Sequence, residues 1–176
     1  TGMLMPHSKF SFHADLKKMS IHEKEYFVRS LFKGLKILHN DLSIFHGNIS
    51  PKNIFVDIEG NPKLADLSLA KTSKFVAVYS RKLCLKKNSK KTQEALWELL
   101  LGRSIPTYPC NLDVDALEKT FKSNCLSVGD KVKKAKEIFG ARDVYALGKS
   151  LLSIFCFSAP DDRSEYRSFD KLSEVL

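Results

Sequence analysis

The sequence predicts a mainly α-helical domain with one small β-hairpin. Three observations lead there. Apolar residues recur at helical spacing in several segments. Strand-like runs occur only at Ile54-Phe55-Val56 and Lys63-Leu64-Ala65, and the turn residues Glu59-Gly60-Asn61-Pro62 separate them. The chain has 176 residues, which fits one domain that buries about 70% of its extended surface. A lone hairpin is marginal in water, so this one needs helices packed against it.

The first helix is expected over residues 21–39. Val28, Leu31, Phe32, Leu35 and Leu38 follow the i, i+3, i+4, i+7 pattern of an amphipathic face. Ser20 and Glu23 form a capping box at its start, because each side chain can satisfy a backbone N–H that the first turn leaves unpaired. A loop from Asn40 to Asn53 leads into the hairpin. Residues 71–91 then carry Lys71, Lys74, Arg81, Lys82, Lys86, Lys87, Lys90 and Lys91 without one acidic residue, and read as a basic, mobile loop.

Beyond it, a helix is expected near 92–101. Another is expected over 112–122, capped by Asn111, with Val114, Leu117 and Phe121 on one face. A basic segment from Lys131 to Phe139 follows Asp130, itself a candidate N-cap. Residues 142–157 are apolar nearly all round, as a buried central helix would be. A further helix is expected to start at Ser168.

Composition narrows the class. Hydrophobic content of 43% and charged content of 28% are ordinary for a globular domain. The formal net charge of +9 permits nucleic acid, acidic lipid or acidic protein as a partner and chooses none of them. Cys84, Cys110, Cys125 and Cys156 are widely spaced and form no C-x-x-C pair, which argues against a zinc site and a disulfide framework. A reducing compartment, cytoplasmic or nuclear, is the expected location. No apolar run reaches the ~18 residues a membrane span needs, and no signal peptide opens the chain.

Three blocks carry chemistry. The first is GLKILH followed by the loop His46-Gly47-Asn48-Ile49-Ser50-Pro51-Lys52-Asn53. The second is KLADLSLAK with Asp66-Leu67-Ser68. The third is RDVYALGKSLL. Position 48 precedes position 53 by five residues, and 53 precedes 66 by thirteen. In order and spacing these blocks resemble the C-terminal lobe of a protein kinase, with its catalytic loop H-R-D-L-x-x-x-N and its metal-binding D-F-G. GMLMPHS resembles the hinge between the two lobes, HADLKKM the short helix after it, and LWELLLG the A-P-E region. A rival placement of that region is PTYPC, residues 106–110.

The fold this resemblance implies is the C-lobe of the α+β kinase fold, without the N-lobe. Residues 1–176 would form a single partial domain running from the hinge to the start of the helix after the central one. Residues 71–91 would be its activation-segment-like loop, and 103–139 an insertion. The opening Thr-Gly, in place of Met, fits a piece of something longer.

The resemblance also assigns positions. Asn48 stands where the family has the catalytic aspartate, and an amide cannot accept the substrate's proton. Ser50 stands at the lysine that steadies the transferring phosphoryl, and Gly47 at the arginine that pairs with a phosphorylated loop. Asn53 and Asp66 match the residues that hold magnesium and, through it, ATP. His46 and Asp143 match architectural residues: the histidine packs under the metal-binding motif, and the aspartate, at the start of the central helix, accepts backbone N–H groups of the loop. Glu98 matches a glutamate that pairs with a distant arginine.

Three readings follow. The first is a catalytically impaired kinase-like domain, a pseudokinase that binds a protein partner as a scaffold or regulatory module. The second is an unconventional active Ser/Thr kinase that uses ATP and Mg once an N-lobe is supplied. The third is a module that binds nucleic acid or an acidic surface through Lys71 to Lys91, with Phe75 and Tyr79 as its only aromatic platform.

Overall fold

The computed structural model describes residues 19–85, 89–101 and 111–156. Its elements run α1 (Ile21–Lys36), a π-helical turn (Ile37–Asp41), β1 (Ile44–Phe45), a 3₁₀ turn (Pro51–Asn53), β2 (Ile54–Val56), β3 (Pro62–Leu64), a second 3₁₀ turn (Leu67–Leu69), β4 (Lys71–Thr72), α2 (Ser73–Leu83), α3 (Lys90–Leu101), α4 (Asn111–Lys122) and α5 (Val128–Cys156). The described part is mainly helical, with two small antiparallel sheets. The hinge-like residues 2–8, most of 13–19, Lys86 and Lys87, the PTYPC segment and everything from Ser168 lie outside the described residues.

α1 starts at the capping box: the Ser20 N–H donates to Glu23 Oε2 at 2.7 Å, and the Glu23 N–H donates to Ser20 Oγ at 3.3 Å. Its inner face is Phe27, Leu31 and Leu35. Phe32, counted with that face from the sequence, is exposed. The face is rotated by one position, because Phe27 rather than Val28 points inward.

The hairpin forms as expected, with Ile54 opposite Leu64, Phe55 opposite Lys63 and Val56 opposite Pro62. The Asp57 carboxylate organises its turn by accepting the Glu59 N–H at 3.0 Å and the Asn61 N–H at 2.8 Å. Gly60 supplies the left-handed step, at φ +88°. The Tyr26 hydroxyl donates to Asn61 Oδ1 at 2.7 Å and ties the turn to α1.

The structure departs from the sequence reading in four places. Residues 73–83 are helix rather than loop, capped by Thr72 Oγ1, which accepts the Phe75 N–H. Val76 and Ser80 face inward from α2. On its flank the rings of Phe75 and Tyr79 stack 4.2 Å apart. The Lys71 ammonium lies 5.5 Å from the first ring and that of Lys82 5.0 Å from the second. Burial of Val76 packs this basic segment on the protein, while the cation–aromatic pairs lay two of its lysines over its own rings.

The second departure is β1 paired with β4, Ile44 opposite Thr72 and Phe45 opposite Lys71. The third is α5, one helix of 29 residues where the sequence suggests a basic segment and then a separate helix. Asp143 therefore sits in the middle of a helix, not at its start. The fourth is its N-cap. Ser127 Oγ accepts the Asp130 N–H at 3.1 Å and donates to Asp130 Oδ2 at 2.6 Å, so Ser127 is the cap and Asp130 its partner one turn in.

The core is two clusters that share α5. One joins Phe27, Leu31 and Leu35 of α1, Ile49 of the loop, Ile54 and Val56 of β2, and Leu147, Leu151 and Ile154 of α5. The other joins Phe45 of β1, Val76 of α2, Leu100 of α3, Leu117 of α4, and Ala135 and Phe139 of α5. Residues 111–139, read from the sequence as part of an insertion, thus supply three side chains of the second cluster. Among the described residues no helix is long and apolar enough to cross a membrane. Cys84 and Cys125 are free thiols, and burial pushes the Cys84 thiol up from its usual range.

Candidate functional site

The loop from His46 to Asn53 is hung from α5 by one carboxylate. Asp143, 2% exposed, accepts the His46 N–H at 2.6 Å and the Gly47 N–H at 2.9 Å, and the His39 ring meets it through Nε2 at 2.8 Å. A carboxylate so deeply buried is tolerable only when hydrogen bonds replace the water it has lost. Gly47 adopts φ +75°, and a Cβ there would lie 2.8 Å from the Leu69 carbonyl oxygen. The sharp turn is therefore made by close approach of two backbones, which glycine permits.

The His46 ring is fully buried. Its Nδ1 accepts the Asn48 N–H at 3.3 Å. Its Nε2 is buried without a hydrogen-bond partner. Burial pushes the imidazole below its usual pKa, and the nearby Asp143 and Asp66 charges offset this only in part.

Asn48, Asn53 and Asp66 come together. The Asn48 Nδ2 donates to Asp66 Oδ2 at 2.6 Å, and the Asn53 Nδ2 donates to the Asn48 carbonyl at 2.8 Å. Asn53 also fixes the hairpin, because its own carbonyl accepts the Ala65 N–H at 2.9 Å. Asp66 is exposed and left-handed, at φ 63° and ψ 72°. Its Oδ1 accepts from the Ser68 hydroxyl at 2.5 Å and the Ser68 N–H at 3.3 Å. Those bonds, the hydroxyl first, hold the Asp66 carboxyl below the usual carboxylate range.

The other predicted positions lie apart from this cluster's chemistry. Ser50 is 3% exposed, and its hydroxyl is buried without a hydrogen-bond partner, so it offers neither charge nor an open donor. Glu98 is exposed on α3 and makes no ion pair among the described residues. No three His, Cys, Asp or Glu side chains gather as a metal centre among the described residues. Besides the exposed Lys52, the titratable groups at this loop are a sealed imidazole and the Asp66 carboxylate, engaged on both oxygens.

Sequence reading misses two participants and the role of a third. His39 has no local signal, since its partner lies 104 positions away. The Leu69 carbonyl matters only through its approach to Gly47. Ser68 is noticed as a departure from glycine, but its bond to Asp66 depends on a turn that only the fold reveals.

No family model matches the chain. A stretch of 56 residues is 46% identical to mitogen-activated protein kinase kinase kinase 1 of Arabidopsis thaliana. That stretch covers 32% of this chain and 9% of the length of the relative. A segment of the chain is thus similar to a protein kinase.

Proposed function

We propose that this chain is a catalytically impaired kinase-like lobe, a pseudokinase that serves a protein partner as a scaffold or regulatory module inside the cell. The observation that carries the reading is the Asn48–Asp66 hydrogen bond of 2.6 Å. An amide that donates to the neighbouring carboxylate occupies the seat where a kinase keeps its proton acceptor. Phosphoryl transfer relies almost wholly on positioning and electrostatics, and here the base, the lysine and the arginine are replaced by Asn48, Ser50 and Gly47. The similarity of one segment to a mitogen-activated protein kinase kinase kinase supports the kinase-like lobe.

The test is phosphotransfer by the full-length product with ATP and magnesium or manganese. No transfer above an Asp66→Ala control is expected. Turnover that Asp66→Ala abolishes would overturn the reading. It would favour an unconventional Ser/Thr kinase instead, for which the convergence of Asn53 and Asp66 on Asn48 is the supporting observation.

A further inference from the structure

We infer that Asn48 and Ser68 form a latch on Asp66 that keeps divalent cations off its carboxylate. The inference rests on the kinase-like reading only for the expectation of a metal. The rest comes from the geometry. Magnesium binds oxygen lone pairs in a near-octahedral shell, supplied by one or two carboxylates and by phosphates. Asp66 Oδ2 is met by the Asn48 amide nitrogen at 2.6 Å, and Oδ1 by the Ser68 hydroxyl at 2.5 Å and the Ser68 N–H at 3.3 Å. Both oxygens thus carry short, charge-assisted bonds from the protein itself. A cation at this carboxylate meets amide hydrogens and a hydroxyl hydrogen.

Without a cation the Asn48 amide turns its nitrogen to the carboxylate, because the opposite flip would set two acceptor oxygens 2.6 Å apart. A cation must therefore break this bond before the amide oxygen can serve it. Asn53 is held by its Nδ2, which donates to the Asn48 carbonyl at 2.8 Å and fixes the direction of its amide. No group of three His, Cys, Asp or Glu side chains gathers at Asp66 among the described residues. A divalent cation at Asp66 must therefore compete with the Asn48 and Ser68 donors, which lowers its affinity for this carboxylate.

Two departures that look independent in the sequence converge on one carboxylate. An aspartate at 48 would have no amide hydrogens to give. A glycine at 68 would have no hydroxyl. Each change supplies a donor to Asp66, and together they stabilise the charged carboxylate and fix its direction, as a bound cation would otherwise do.

The experiment titrates manganese(II) alone into the full-length protein and follows the free-ion signal by electron paramagnetic resonance. The quantity read is Asp66-dependent uptake, the difference between each protein and the same protein carrying Asp66→Asn. The wild type is expected to show none up to the ~1 mM range. Asn48→Asp combined with Ser68→Gly is expected to take up the ion at least tenfold more tightly than the wild type and to gain thermal stability with it. Ser68→Gly alone, a mild change at an exposed turn, is expected to show a smaller gain and serves if the double variant does not fold. Asp66-dependent uptake by the wild type overturns the latch, and so does the absence of any gain in the folded variants. Phosphotransfer by the wild type would defeat the proposed function. Manganese uptake without phosphotransfer defeats the latch alone.

Discussion

The carboxylate of Asp143 receives the backbone N–H of His46 at 2.6 Å, across 97 positions of sequence. With the Gly47 N–H and the His39 ring it makes three contacts, all on a side chain that is almost wholly buried. The loop's shape thus depends on a single residue of a distant helix.

Replacing Asp143 by alanine leaves two backbone donors and a ring nitrogen without their acceptor. The expected cost is about 3 kcal/mol of stability, since removing one partner strands the others away from water. Asp143→Asn keeps the shape but presents one acceptor oxygen where two are used, so its loss is smaller. Urea unfolding followed by circular dichroism should rank the midpoints wild type, then asparagine, then alanine.

Gly47 cannot be replaced by a residue with a side chain without penalty. A Cβ at this site lies 2.8 Å from the Leu69 carbonyl oxygen, and the left-handed backbone adds strain of about 1–2 kcal/mol for an L residue. Both Gly47→Ala and Gly47→Arg should lower the unfolding midpoint, and by similar amounts, because the obstacle is the first carbon of the side chain. If the arginine variant matched the wild type in stability, the close approach would be wrong.

The buried imidazole of His46 makes stability fall in mild acid. Its folded pKa lies below the ordinary imidazole value of about 6.5, with burial as the leading cause. Below pH 6.5 the unfolded chain therefore binds the proton more readily than the folded one, and stability declines as pH drops towards the folded pKa. His46→Asn should flatten the pH dependence of unfolding in this window relative to the wild type. The Asp66 carboxyl, held below the usual carboxylate range by its bonds to Ser68, gives a separate loss of stability at lower pH.

The second core cluster gives a paired test. Leu117 of α4 is 1% exposed, and Leu117→Ala should cost about 2–5 kcal/mol through lost burial and a cavity. Glu98, exposed on the neighbouring α3, should tolerate Glu98→Gln within about 0.5 kcal/mol. Chemical denaturation of the two variants side by side reads both. A costly Glu98→Gln would reveal the ion pair that its sequence position suggests.

Local rules made part of this fold legible. The Ser20–Glu23 box, the helix it opens, and the hairpin around Gly60 all rest on contacts within a few residues, so their signals lie side by side in the chain. α2 was hidden by composition. Val76 and Ser80 carry its inner face at an i, i+4 spacing, but the lysines and arginine around them read as a solvated run. The continuity of α5 was hidden too. Val132, Ala135, Phe139, Asp143 and Leu147 step along one buried face at intervals of three and four, yet the buried charge in the middle interrupts the apolar pattern. In the site, the meeting of Asn48 with Asp66 was foreseeable from the motif, whereas β1 pairing with β4 and the reach of His39 to Asp143 are long-range events that no local pattern announces.

The uninterrupted run of α5 through both clusters has a mechanical consequence. A stiff rod spans the two halves of the body, and the anchor for the loop is fastened near its midpoint, between Phe139 and Leu147. Tilting one half against the other would bend that rod where the loop is attached. A partner that grips α1 at one end or α4 at the other thereby acquires a lever on the same few backbone amides, with the lengths of its two arms set by where it holds.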